Sequence, residues 1–371
     1  MFQMKRRECI RALAGVAGLG FTNSFASTSA IPFTDGIPST AGTITDVPGI
    51  RVGHFTDKRR PTGCTVILFD NEATAGVDYD GSIPGSTMGV SIQAASTPNP
   101  IHGILLTGGG VLGLPAVAGV SRFLQEHKVG FDWDPPGFLT PIVVGSVIGD
   151  NSVGDPRIIP DAESAYQACL DASTRPVVEG NVGVGAGATI GKMLKGFQGM
   201  KGGIGSASLR LGEVVVGALA VINSVGDIVD WRTGKILAGA RRHDGKGFVN
   251  IVETLKNQAS NKLQSSLWLN DPPFRSTTLV VVATNADINK AAMTKIAMMA
   301  SIGAGRAINP YHTTGDGDST FAVSTNKTKS ELGVSVIGAL AAELVSEAVL
   351  RAAKAAKSVD GWPAYCDYHT D

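Results

Sequence analysis

The run Ser276-Thr277-Thr278-Leu279-Val280-Val281-Val282-Ala283-Thr284-Asn285 is β-branched and almost wholly apolar, with a hydroxyl pair at its mouth. Branched side chains of this kind pack well on a pleated surface, so the run predicts a strand over Thr277–Thr284. A buried strand explains the valines and leaves the hydroxyls unexplained. Upstream, the polar, irregular run from Asn261 to Arg275 ends in Asp271-Pro272-Pro273-Phe274-Arg275. Regular structure cannot pass through those prolines, so the strand begins abruptly. Such a junction suits a scissile bond. A break before Thr277 would give a threonine with a free α-amine at the head of a rigid strand, its hydroxyl the nucleophile and its own amine the base. A Thr-rich strand start remains the plainer reading of this segment by itself.

The rest of the chain reads as α/β. Strand-like runs at Thr65–Phe69, Ile104–Thr107, Ile142–Val144 and Val214–Ile222 alternate with helix-like runs at Leu114–His127 and Asp161–Ala172. Beyond the Thr277 strand, Ile288–Ile302 reads as helix, Thr320–Ser324 as strand and Val334–Lys357 as a long helix. In that last helix Ile337, Leu340, Ala341, Leu344, Val345 and Ala348 share one face. Arg241 to Ser276 is the one seam, a polar stretch that could be removed without touching a core. With 43% hydrophobic and 17% charged residues, 371 residues suffice for a sizeable core.

The first thirty residues read as an export signal, in which Lys5-Arg6-Arg7 precedes an apolar run from Ile10 to Phe21 and small residues follow. Arg6-Arg7 gives it the twin-arginine character of signals that export folded proteins, so a periplasmic location is expected. A buried or cytosolic N-terminal helix is the alternative. Without residues 1–30 the chain carries 28 basic and 31 acidic residues, which favours neither nucleic acid nor an anionic membrane as partner. No stable membrane anchor is expected, because no later segment offers a long continuous apolar run. Cys64, Cys169 and Cys366 are odd in number and widely spaced, and the histidines at 54, 102, 127, 243, 312 and 369 lack metal-ligand spacing. Neither a disulfide framework nor a metal is implied.

Several motifs can be weighed on their residues. Gly183, Gly185 and Ala188 have dinucleotide-fingerprint spacing, but no Asp or Glu lies between Glu179 and Glu213 to bind a ribose hydroxyl, and the phosphate-loop pattern fails at Ala186 and Met193. No cofactor is implied, and the glycines read better as close backbone packing, with Lys192 either a site cation or an exposed lysine. No serine stands in Gly-x-Ser-x-Gly, which removes the nucleophile-elbow route. Asn223 ends the apolar run Val214–Ile222, where its carboxamide either caps the strand or points into a site. Asp316-Gly317-Asp318 is a turn, a calcium loop lacking its other ligands, or a carboxylate pair facing one cation.

Taken with Ala304-Gly305-Arg306-Ala307-Ile308-Asn309-Pro310-Tyr311-His312-Thr313, with Val221–Gly226 and with Gly185–Lys192, these segments resemble the self-processing aminopeptidase and amidase family that includes L-aminopeptidase/D-esterase, β-peptidyl aminopeptidase and nylon-oligomer hydrolase. The resemblance runs from about Gly42 to about Lys354. It implies a four-layer α/β/β/α sandwich, cut between Ser276 and Thr277 into an α-fragment, 31–276, and a β-fragment, 277–371, that share one structural domain and associate, in a homo-oligomer. It further implies Thr277 as nucleophile, Asn223 as oxyanion donor, Lys192 as the cation that sets the amine's proton balance, and Asp316 and Asp318 flanking the nucleophile, with small amides, short peptides, β-peptides or ω-amino acid oligomers as substrates. Two departures stand out. Ser276 replaces the Asn or Gly found before the nucleophile, which makes Ser276 a second candidate, and Gly149 stands where relatives carry a tyrosine. Two other functions stay open at this point: a self-cleaving acyltransferase of the ornithine acetyltransferase type, and a non-catalytic periplasmic binding protein.

Overall fold

The computed structural model describes residues 40–97, 100–133, 135–260, 276–359 and 361–369. The segment read above as an export signal and the Asp271–Arg275 junction lie outside the described residues. Those from Pro38 on belong to one compact unit.

Nine strands carry the fold: β1 (Ile50–Thr56), β2 (Gly63–Asp78), β3 (Ser86–Thr87), β4 (Ile101–Thr107), β5 (Val143–Val147), β6 (Gly203–Leu211), β7 (Val214–Asn223), β8 (Thr277–Ala286) and β9 (Ser319–Thr328). Their order is β6-β7-β8-β9-β2-β4-β5-β3, with β1 added against β2. The long β2 joins two halves: its Thr74–Asp78 end pairs with β9, and its Gly63–Phe69 end pairs with β1 and with most of β4.

Side-chain alternation then builds the layers. In β8, Leu279, Val281 and Ala283 point into a core shared with Ile67, Phe69, Ile104 and Val144 of the other half-sheet. Val280 and Val282 point the other way, toward α4 (Lys290–Ala307) and α5 (Val334–Ala355), where Met293, Ile296, Ile337 and Leu344 meet them. On the far side, Val66, Leu68 and Leu105 pack against Val120 and Phe123 of α1 (Val117–Glu126) and Ala165 and Ala168 of α2 (Ala162–Asp171). The result is the α/β/β/α sandwich. Because β8 is buried on both faces, its sequence is a continuous apolar run and not an alternating one.

Two expectations shift. The run Leu114–His127 begins as a 3-10 turn, Gly110–Ala116, and becomes α-helical only at Val117; Pro115, which has no N–H to donate, falls in that turn. The seam after Arg241 does touch a core. It contains α3 (Ile251–Ser260), whose Ile251 is buried with Leu194 and Ala240, and the Ile251 amide donates to Asp227 at 2.9 Å. Burial in turn pushes the Asp227 carboxyl up to about 6.

Candidate active site

The polar residues singled out in the sequence gather at one end of β7, β8 and β9. Thr277 opens β8 directly opposite Asn223, the last residue of β7. The residue is nearly enclosed, at 7% exposure, and its hydroxyl donates to the Ser276 carbonyl oxygen at 2.6 Å. Ser276 itself bridges in parallel to Asp316, ahead of the β8–β9 ladder.

Asn223 is held by donors that fix which way its amide faces. Lys192 Nζ donates to Asn223 Oδ1 at 2.9 Å and to its backbone carbonyl at 3.2 Å, and the Thr189 amide donates to Oδ1 at 3.0 Å. The Thr189 backbone amide can only donate, so the Asn223 amide oxygen faces it and Lys192, and the NH2 faces away. That NH2 donates to the Gly149 carbonyl at 3.4 Å. Burial brings the Lys192 ammonium down to about 7, against the opposing pull of Asp316, Asp150 and Asp318.

The two aspartates differ in their surroundings. Asp318 Oδ1 accepts from the Thr278 amide at 2.6 Å, and its Oδ2 lies 3.3 Å from His312 Nδ1. Asp316 Oδ2 accepts from the Thr313 amide at 3.0 Å and the Thr313 hydroxyl at 2.7 Å, while its buried Oδ1 has no hydrogen-bond partner among the described residues. Burial, and after it the charge of Asp318, push the Asp316 carboxyl up to about 6, against the opposing pull of Thr313 and Lys192. Burial therefore disfavours the ionised form of both Lys192 and Asp316.

Sequence reasoning brought Thr277, Asn223, Lys192, Asp316 and Asp318 into view, and all five meet here. It assigned nothing to His312, whose Nε2 hydrogen-bonds the Ser301 hydroxyl at 2.8 Å and lies 3.8 Å from Asp80. Nor did it find the support beneath Gly149. The next residue, Asp150, pairs with Arg60 at 2.5 Å, both side chains wholly buried, and also accepts from Thr62 and the Gly109 amide. Arg60 sits in the plain segment Arg59-Arg60-Pro61, where nothing distinguishes it from a surface arginine. Among the described residues no group of three His, Cys, Asp or Glu side chains is placed to hold a metal, and no helix is long and apolar enough to cross a membrane.

Solved structures share this layered fold. The chain aligns with a Burkholderia sp. β-aminopeptidase at a TM-score of 0.60 and 24% identity, covering 87% of this chain and 90% of that one. It aligns with the L-aminopeptidase D-Ala-esterase/amidase of Ochrobactrum anthropi, described as a variant of the N-terminal-nucleophile hydrolase fold, at a TM-score of 0.61 and 21% identity, covering 88% and 89%. The fold is thus that of the N-terminal-nucleophile hydrolases. Among sequence relatives, an uncharacterized aminopeptidase of Mycobacterium leprae is 35% identical over 87% of this chain and 93% of its own length. A 6-aminohexanoate-oligomer endohydrolase of Kocuria sp. is 31% identical over 83% and 85%. The chain belongs to peptidase family S58, which it matches over residues 42–365, and it is a hydrolase of the aminopeptidase and amidase kind.

Proposed function

We propose that the chain cuts itself between Ser276 and Thr277 and then hydrolyses small amides through the freed threonine. The observation that carries this reading is Thr277, nearly enclosed at the head of a central strand, with its hydroxyl 2.6 Å from the carbonyl oxygen of the bond to be cut. In self-cleavage Thr277 Oγ1 bonds to the Ser276 carbonyl carbon, the C–N bond breaks, and the hydroxyl proton ends on the Thr277 nitrogen. Water hydrolyses the resulting ester, leaving a Ser276 carboxylate and a free amine. An α-amine has an ordinary pKa of about 7.7–8.0, so near neutral pH a useful fraction is unprotonated and takes the hydroxyl proton as the hydroxyl attacks a substrate amide. The Asn223 NH2, oriented by Lys192, suits the developing oxyanion. Asp316 and Asp318 serve the amine side of the reaction.

Short peptides, β-peptides and ω-amino acid oligomers are the substrate class, in keeping with the aminopeptidase and oligomer-hydrolase names among the relatives. A denaturing gel with N-terminal sequencing tests the reading. The expected result is two fragments, the smaller running 95 residues from Thr277 to Asp371, with Thr277→Ala staying whole and inert on a panel of amide substrates. A start at Ser276 or Thr278 would move the nucleophile. An intact chain that still hydrolyses amides would remove the N-terminal nucleophile from the mechanism.

A further inference from the structure

The geometry points to the backbone N–H of Gly317 as the donor that polarises the Ser276 carbonyl during self-cleavage. This inference rests on the self-processing reading above. The Gly317 amide donates to the Ser276 carbonyl oxygen at 2.9 Å, beside the Thr277 hydroxyl that donates to the same oxygen at 2.6 Å. Both ends of the bond to be cut are buried. When Thr277 Oγ1 bonds to the Ser276 carbon, the electron pair of the C=O moves onto that oxygen, where the Gly317 N–H already stands. As the C–N bond breaks, the pair returns to re-form the carbonyl of the ester, and the Thr277 nitrogen keeps the hydroxyl proton. A donor in place before the charge develops needs no reorganisation at the moment of reaction, which is what makes such contacts effective in a buried site.

The neighbours of Gly317 hold that amide still. Asp316 is tied to Thr313 through its own amide and its carboxylate, Asp318 Oδ1 accepts from the Thr278 amide, and the Gly317 carbonyl accepts from the Ser319 hydroxyl at 3.0 Å. The residue must also be glycine. A β-carbon there would lie 2.7 Å from the Ile83 carbonyl oxygen and 2.9 Å from Thr277 Oγ1. The Ile83 backbone has little freedom to yield, because its amide donates to the Asp316 carbonyl at 3.0 Å. The Asp-Gly-Asp spacing thus has a physical reason: the residue between the two acids offers its amide to the scissile carbonyl and leaves its side-chain volume to the nucleophile.

The decisive variant replaces Gly317 with glycolic acid by nonsense suppression, which turns the N–H into an oxygen and adds no side chain. In a pulse-chase of freshly synthesised protein, its rate of fragment formation should fall about 10²–10³-fold, the usual cost of one oxyanion donor. The backbone ester between Asp316 and position 317 gives, where it hydrolyses, a shorter fragment from 317, so the fragment followed is the 95-residue one that starts at Thr277. Formation of that 95-residue fragment at the wild-type rate overturns the assignment. A second measurement needs no altered backbone at 317: in the uncut Thr277→Ala chain the Gly317 amide proton should resist exchange with solvent, and exchange at the rate of an open amide also overturns it. A wild-type chain that stays whole removes the self-processing reading itself, whereas equal cutting in both chains removes only the Gly317 donor.

Discussion

Asp316→Asn should make the protein more stable and less active at once. Asp316 is 1% exposed, and holding its carboxyl at about 6 against the ordinary 3.8 corresponds to about 3 kcal/mol disfavouring the ionised form in the folded chain, at about 1.4 kcal/mol per pH unit. The sign follows from proton counting. Between 3.8 and about 6 the folded chain binds more protons at this site than the unfolded chain does, so stability falls as pH rises through that window and stays reduced above it. Asparagine keeps an oxygen for the two Thr313 donors and carries no charge to desolvate. Its NH2 takes the place of Oδ1, which already lacks a partner among the described residues, so the exchange loses little hydrogen bonding. At about pH 8 the variant should be up to about 3 kcal/mol more stable, raising the melting temperature by several degrees, and the advantage should vanish below the ordinary carboxyl range. Calorimetry across pH in a Thr277→Ala background compares two uncut chains, and the same substitution with Thr277 present should lose cutting and hydrolysis. A variant that is less stable at about pH 8, or whose stability difference ignores pH, would show that Asp316 is held by a favourable ion pair and would sink the reasoning.

Arg60→Met should cost about 3–5 kcal/mol in urea denaturation, because it strands the wholly buried Asp150 carboxylate; a loss under about 1 kcal/mol would mean that the Thr62 and Gly109 donors suffice. Lys192→Met should lower turnover about 10²–10³-fold by releasing the Asn223 amide, and the methionine chain should still fold. Because folding lowers the Lys192 ammonium from 10.5 to about 7, the unfolded chain binds more protons in that interval. Any stability gained by the methionine should therefore be largest below about pH 7 and fade toward 10.5, and a gain that grows with pH in that interval would contradict the burial argument.

Much of this was legible in the sequence because it is local. The continuous apolar run of β8 announces a strand buried on both faces, and the periodic face of Val334–Lys357 announces a helix on a sheet; both elements are where they were expected. The 3-10 start before α1 and the packing of α3 were not legible, since one depends on Pro115 within an apolar run and the other on a single isoleucine docking into a distant loop. Arg60 and His312 were invisible for a related reason. A buried arginine and a surface one have the same local sequence, and only the tertiary contacts to Asp150 and Asp318 separate them.

The site itself is a product of strand direction, which the residues do not encode one by one. Asn223 ends its strand, whereas Thr277 begins one and Asp316 and Asp318 lead into another. These positions coincide only because β7 runs antiparallel to β8 while β8 runs parallel to β9, so that one carboxyl end and two amino ends meet at the same edge. The parallel step needs a long crossover, and α4 supplies it between β8 and β9. Polar groups can be gathered there at tolerable cost, since the sheet ladders end at that edge and backbone amides such as those of Thr278 and Gly317 become available to a carboxylate and a carbonyl. Were β9 antiparallel to β8, the same Asp-Gly-Asp sequence would lie at the far end of the sheet, and no side-chain substitution at Thr277 or Asn223 could recover the site.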